Sequence, residues 1–248
     1  MPCGKLQGQR ISLFTSNPES NCSRMISQLY LTTVQQEALL KSIEKLCSVF
    51  WGPSLEKCQE MLSDDYFLSF DVLDGLLTYD PPHSLETLKK TVTGFSDGVL
   101  FFDFLEESYV RLFVNAQNSI TAPLYHSCYQ DRGQSDSQPR LMGESAGFMR
   151  QLFKSKGLSL ANSINEPSDH LSIELEYLFF LLQHGVTKQD NEALDEAISF
   201  AGTFMLPWVS RFRDRLLSRS ACPFYPFAAA ILASDLHLVS LLNRNSER

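Results

Sequence analysis

The chain has 248 residues, 44% of them hydrophobic, which is enough for a substantial core and excludes a disordered protein. A net charge of -8 and a pI near 5.1 argue against nucleic-acid binding and favour basic partners. No stretch approaches the roughly twenty apolar residues that span a bilayer. The N-terminus offers only Ile11 to Phe14 as an apolar run, and no Arg-Arg pair occurs, so the expectation is a cytoplasmic protein that is not itself exported.

Residues 1–31 are polar and read as a loose arm. Thr32 or Thr33 with Gln35 or Gln36 forms a capping box, and Val34, Ala38, Leu39, Ile43, Leu46 and Phe50 give a helix stopped by Gly52-Pro53. Short helices follow around Leu55 to Leu62 and Phe67 to Leu77; Ser84 caps another through Val92, and Val99 to Val114 is the next. The polar run Gln130 to Pro139 has the composition of a linker and a hinge. Beyond it lie helices near Glu144 to Lys154, Pro167 to Gln183, Glu192 to Leu206, Pro207 to Ser218 and Pro223 to Leu242. With no convincing strand alternation, the fold class is all-α, about ten helices in two lobes: residues 32–129, a linker at 130–142, and residues 143–248. Such a hinge makes the chain a monomer or a domain-swapped dimer.

The segment Asn165 to Leu178 puts a proline, a histidine and the acids Glu166, Asp169 and Glu174 at the mouth of an otherwise apolar helix. Asn165 or Ser168 can cap it, Pro167 fits its first turn, Asp169 complements the dipole, and Gly185 ends it. Leu171, Leu175, Leu178 and Leu182 form one stripe, Ile173, Tyr177 and Phe180 a second, and Ser172, Glu176 and Gln183 are left for water. His170 and Glu174, four apart, fall at the margin of apolar surface, where they can pair with each other or meet a ligand that is both basic and apolar.

Other chemistry is thin. Gly143-Glu144-Ser145-Ala146-Gly147 fits G-x-S-x-G, but the residues before it do not read as the strand a nucleophile elbow needs, and no oxyanion loop is evident. The bland reading, a helix start with small residues, is preferred, so no catalytic residue is assigned and a serine esterase is kept only as an alternative. Five histidines lack metal-ligand spacing, and six scattered cysteines without a C-x-x-C pair read as reduced thiols; no metal is expected. Trp51 and Trp208 read as core.

Glu166 to Leu178 resembles the signature of the TorD/DmsD/NarJ-type chaperones, which mature molybdenum-cofactor oxidoreductases exported with a twin-arginine signal peptide. Arg111-Leu112-Phe113, then Ala122-Pro123-Leu124-Tyr125-His126-Ser127-Cys128-Tyr129, Leu141-Met142-Gly143-Glu144 with Lys156-Gly157-Leu158, Leu206-Pro207-Trp208-Val209 with Arg211-Phe212, and Pro223-Phe224-Tyr225 are similar to its other conserved-order segments. The resemblance, closest to the TorD/DmsD branch, runs from about Thr32 to Leu242. It implies a non-enzymatic cytoplasmic chaperone whose partners are a twin-arginine signal peptide and the apo form of the enzyme that carries it. By matching positions it places the peptide site at Tyr109, Leu112, Phe113, Leu124, Tyr125, Pro167, Asp169 and His170, with Glu166 and Glu174 as neighbouring acids. Leu124 stands where some members have a second proline, and Tyr125 where they have tryptophan. The bland reading of Leu112 and Phe113 is core. No cofactor is expected; the family's occasional association with guanine nucleotide finds no P-loop here. A general helical adaptor is the remaining alternative.

Overall fold

The computed structural model describes residues 29–114, 120–130, 143–161 and 164–243. All but Gln130 of the linker expected at 130–142 and of the hinge expected at Gln130 to Pro139, and most of the N-terminal arm, therefore lie outside the described residues. Those described form ten α-helices: α1 (Thr33–Phe50), α2 (Leu55–Met61), α3 (Leu68–Asp74), α4 (Ser84–Thr93), α5 (Gly98–Tyr109), α6 (Glu144–Ser155), α7 (Leu171–Thr187), α8 (Asn191–Ser199), α9 (Leu206–Arg219) and α10 (Tyr225–Ser240). No strand occurs among them, only isolated bridges between Leu29 and Leu242 and between Tyr125 and His170.

Local chemistry explains most of the boundaries. Thr32 caps α1 through the expected box, its hydroxyl accepting from Gln35 N while the Gln35 side chain returns to Thr32 N. Gly52, at φ +105, then turns the chain where other residues would be strained. Ser84 is not the cap of α4: His83, at φ 62, holds that position, and the Ser84 hydroxyl donates to Pro81 O. Two helices widen into π turns, Val110–Val114 after α5 and Phe200–Met205 between α8 and α9. Pro207 accounts for the second, because it offers no N–H and its ring crowds the preceding turn.

Helices from both sides of the 130–142 segment share one continuous core. α7 lies between α1 and α8, while α10 packs on α9, α4 and α1. At the centre Phe50 of α1 meets Phe212 of α9 at 5.6 Å, and Phe113 meets Tyr225 of α10 at 5.1 Å. Each such ring, fully buried, contributes about 1.5–3 kcal/mol.

α7 departs from expectation in three places. It begins at Leu171 rather than Pro167, capped by His170, because Pro167 to His170 closes a separate turn and His170, in extended backbone, bridges to Tyr125. Gly185 does not end it: the helix continues to Thr187, and a Cβ at Gly185 would stand 2.9 Å from the Leu194 backbone, so the residue permits close approach of α8. Ser172 is not on the wet strip. α1 covers it, and its hydroxyl donates to Cys47 O at 3.3 Å while Cys47 Sγ donates to Ser172 O.

Candidate functional site

The site is built where two extended stretches meet in front of α7. Leu171 N donates to Leu124 O at 2.8 Å and His126 N to Asp169 O at 3.0 Å, so residues 124–126 pair with 169–171 around the Tyr125–His170 bridge. Side chains alternate across such a pairing. Tyr125 and His126 consequently serve different neighbourhoods, the first with His170 and Glu166, the second with Glu174 and Trp208.

The inner neighbourhood holds the acids. Asp169 is fully buried; its Oδ2 accepts from Ser127 N and from the Ser145 hydroxyl, both at 2.9 Å. One carboxylate thus ties the turn at 126–129, the start of α6 and the approach to α7. Glu174 is also fully buried, receiving Trp208 Nε1 at 3.0 Å and lying 3.1 Å from His126 Nδ1. That distance would suit an ion pair, but burial pushes the Glu174 carboxyl well above the usual range and the His126 imidazole down to about 4. The neutral pair is the consistent description, with the carboxyl proton donated to Nδ1.

His170 and Glu174 do not pair with each other. His170 Nδ1 accepts from Ser172 N at 3.2 Å, which leaves the ring proton on Nε2. Its ring stacks on Trp51 at 4.9 Å and 17°, with Tyr125 edge-on at 5.3 Å. Burial holds it neutral, down to about 4.

An outer strip follows from these contacts. Trp51 Nε1 donates to the exposed Glu176 at 2.9 Å, and the Tyr125 hydroxyl donates to the half-buried Glu166 at 2.6 Å. In order along it stand Glu176, Trp51, Tyr125 and Glu166, with the buried His170 packed against the rings of Trp51 and Tyr125. Tyr109 lies behind, its hydroxyl donating to Phe50 O at 3.2 Å; burial first, then Glu166, pushes that phenol up to about 12. Half-buried Pro167 belongs to the turn closed by His170 N on its carbonyl at 3.0 Å.

The structure therefore separates the sequence-derived residues. Tyr109, Tyr125, Glu166, Pro167 and His170 come together at the strip. Leu112, Phe113 and Leu124 are core, Phe113 lying between Tyr109 at 5.0 Å and Tyr225. Asp169 and Glu174 face inward and serve chain segments rather than an opening. Trp51 and Glu176 were missed as site residues: Trp51 is half-buried, not core, and it reaches His170 only through packing between α1 and α7. Trp208 is core, as expected.

Ser145 is not placed as a nucleophile, since it is buried in the first turn of α6 and donates to Asp169. Among the described residues no group of three His, Cys, Asp or Glu could hold a metal, and no helix is long and apolar enough to cross a membrane. Burial pushes the Cys47 and Cys58 thiols up to about 12 and 11, which leaves both unreactive.

Comparison with known proteins gives these residues a setting. The chaperone protein TorD of Vibrio cholerae is 29% identical over 219 residues, 80% of this chain and 94% of that protein. The Tat proofreading chaperone DmsD of Salmonella paratyphi A is 26% identical over 182 residues, 65% of this chain and 82% of its own. A crystal structure of a redox enzyme maturation protein from Archaeoglobus fulgidus overlaps loosely, at TM-score 0.42 and 18% identity over 86% of this chain and 96% of that one. The TorD and DmsD relatives bear the names of chaperones, not of enzymes. The sequence profile described as nitrate reductase delta subunit matches residues 86–214, more than half of the chain, and the protein therefore belongs to that family, the TorD/DmsD/NarJ-type maturation chaperones.

Proposed function

We propose that the protein is a cytoplasmic chaperone that binds the twin-arginine signal peptide of a molybdenum-cofactor oxidoreductase and holds the apoenzyme until its cofactor is inserted. The observation that carries this reading is the outer strip, in which Glu176 and Glu166 bracket the half-buried rings of Trp51 and Tyr125, with His170 buried against both. A guanidinium is planar, pairs with carboxylates through a rigid fork and stacks on aromatic faces. Two arginines followed by an apolar segment match two acids separated by rings. The chain's net charge of -8 favours the same partner. Names of relatives supply the rest: TorD is a chaperone, and DmsD proofreads for the Tat pathway.

Titration calorimetry of the chain with signal peptides of candidate clients tests the reading. Binding at micromolar affinity or tighter, about -8 kcal/mol or better, is expected, and it should be lost when the arginine pair becomes alanine. Equal binding of both peptides would favour a general helical adaptor instead.

A further inference from the structure

Tyr125 and His126 are neighbours that serve opposite sides of the bridge at 124–126, and the His126 side opens on a cavity of about 510 Å³ that the strip does not use. That volume is within the range of small-molecule sites. Trp208, stacked on His126 at 5.2 Å and 17°, lines it together with Pro207 and with Phe204, whose ring meets the same imidazole edge-to-face at 4.5 Å. Phe204 belongs to the π turn Phe200–Met205, a departure from α geometry that is frequent at functional sites.

The polar groups of this cavity are mostly donors. His126 is only 8% exposed; with Nδ1 engaged by Glu174, its ring proton is on Nε2, which has no hydrogen bond among the described residues. Arg211 donates from one guanidinium nitrogen to Tyr129 O at 2.7 Å, and that bond sets the fork at the cavity wall. Gly143 gives α6 no side-chain cap, so the positive end of a helix of 12 residues stands at Glu144 on the rim. The exposed Glu144 carboxylate is the opposing charge there.

We propose that this cavity binds a small monocarboxylate carried on a flat apolar body, its oxygens meeting the Arg211 fork and the His126 Nε2–H and its body lying against Trp208, Phe204 and Pro207. A guanidinium takes a carboxylate through two parallel bonds. Charge selects the class. Arg211 is the cation among the described lining residues, and with Glu144 on the rim it balances a single negative charge. A phosphate monoester would bring about -1.5 to -2 at neutral pH into a chain already at -8. A neutral ligand forgoes the fork, and a basic one would meet Arg211. The site is separate from the Trp51 strip and does not depend on it.

The two tryptophans report separately, since Trp208 lines the cavity and Trp51 the strip. Their indole N–H resonances are followed in the full, isotope-labelled chain as benzoate or naphthoate is added, with naphthamide and inorganic phosphate as controls. The Trp208 resonance is expected to shift while that of Trp51 stays, with a dissociation constant for naphthoate below about 1 mM. Arg211→Gln should weaken naphthoate binding roughly tenfold, since a charge-assisted pair is lost. Glu144→Gln should tighten it about twofold by removing the opposing charge. Both residues are exposed, and circular dichroism checks the fold of each variant. Trp51→Ala should leave the affinity unchanged. No Trp208 shift with either acid, equal binding of naphthamide or phosphate, or unchanged affinity in Arg211→Gln would each overturn the proposal.

Discussion

Trp51 lies flat on His170, their rings 4.9 Å apart and 17° from parallel, and so joins the end of α1 to the cap of α7. The contact fixes the imidazole that accepts Ser172 N and presents an indole edge to Glu176. Local stability and the character of the outer strip are therefore linked in one pair of residues.

Asp169 is expected to matter for folding before it matters for binding. Asp169→Asn keeps the shape but weakens the two bonds from Ser127 N and Ser145 Oγ, at a cost of about 1–3 kcal/mol. Ser145→Ala removes one of them and should cost about 1 kcal/mol. Urea denaturation measures both; an Asp169→Asn protein as stable as wild type would show that the carboxylate is not the clamp described.

The buried histidines set the acid limb of stability. Both His126 and His170 are held neutral in the fold, near 4, against about 6.5 when unfolded, so protons favour the unfolded chain below that value. Their contribution is complete above pH 6.5 and is lost as pH falls toward 4. His170→Asn retains an acceptor for Ser172 N without a titrating group. It should flatten the stability profile between these limits, and an unchanged slope would count against a buried neutral imidazole.

Asp235 acts in the other direction. It is fully buried in α10, accepts the Ser42 hydroxyl of α1, and burial pushes its carboxyl up to about 7 from an ordinary 3.8. The folded state prefers the protonated form, so stability from this group is complete below about pH 4 and declines as pH rises through 7. Asp235→Asn should be more stable than wild type at pH 8 and lose that advantage by pH 4. Chemical denaturation at the two pH values decides it.

Gly185→Ala places a methyl 2.9 Å from backbone atoms of Leu194 and should cost about 1–3 kcal/mol by forcing α7 from α8. A thermal midpoint equal to wild type would mean that the helices part without penalty.

Much of the fold was legible because its signals are local. A capping box at Thr32, the break at Gly52-Pro53 and stripes at helical spacing need only neighbouring residues to be understood. The start of α7 was not, since Pro167 to His170 forms a turn whose end is bridged at His170 to Tyr125, an interaction between distant segments. The site divides the same way. The segment Glu166 to Glu174 was visible as unusual, but which of its acids faces water depends on Ser127, Ser145, His126 and Trp208, contributed from elsewhere. Trp51 was read as core because an indole after a helix gives no hint of the histidine it will cover.

The most direct measurement is the affinity of one twin-arginine signal peptide for wild type, Trp51→Ala, Glu166→Gln and Asp169→Asn, each checked for unchanged helical circular dichroism. If the outer strip holds the arginine pair, Trp51→Ala and Glu166→Gln should each weaken binding by about 1–2 kcal/mol or more, while folded Asp169→Asn binds as wild type does. Wild-type affinity in both strip variants, with binding lost only in folded Asp169→Asn, would contradict the account and return the site to the buried carboxylate.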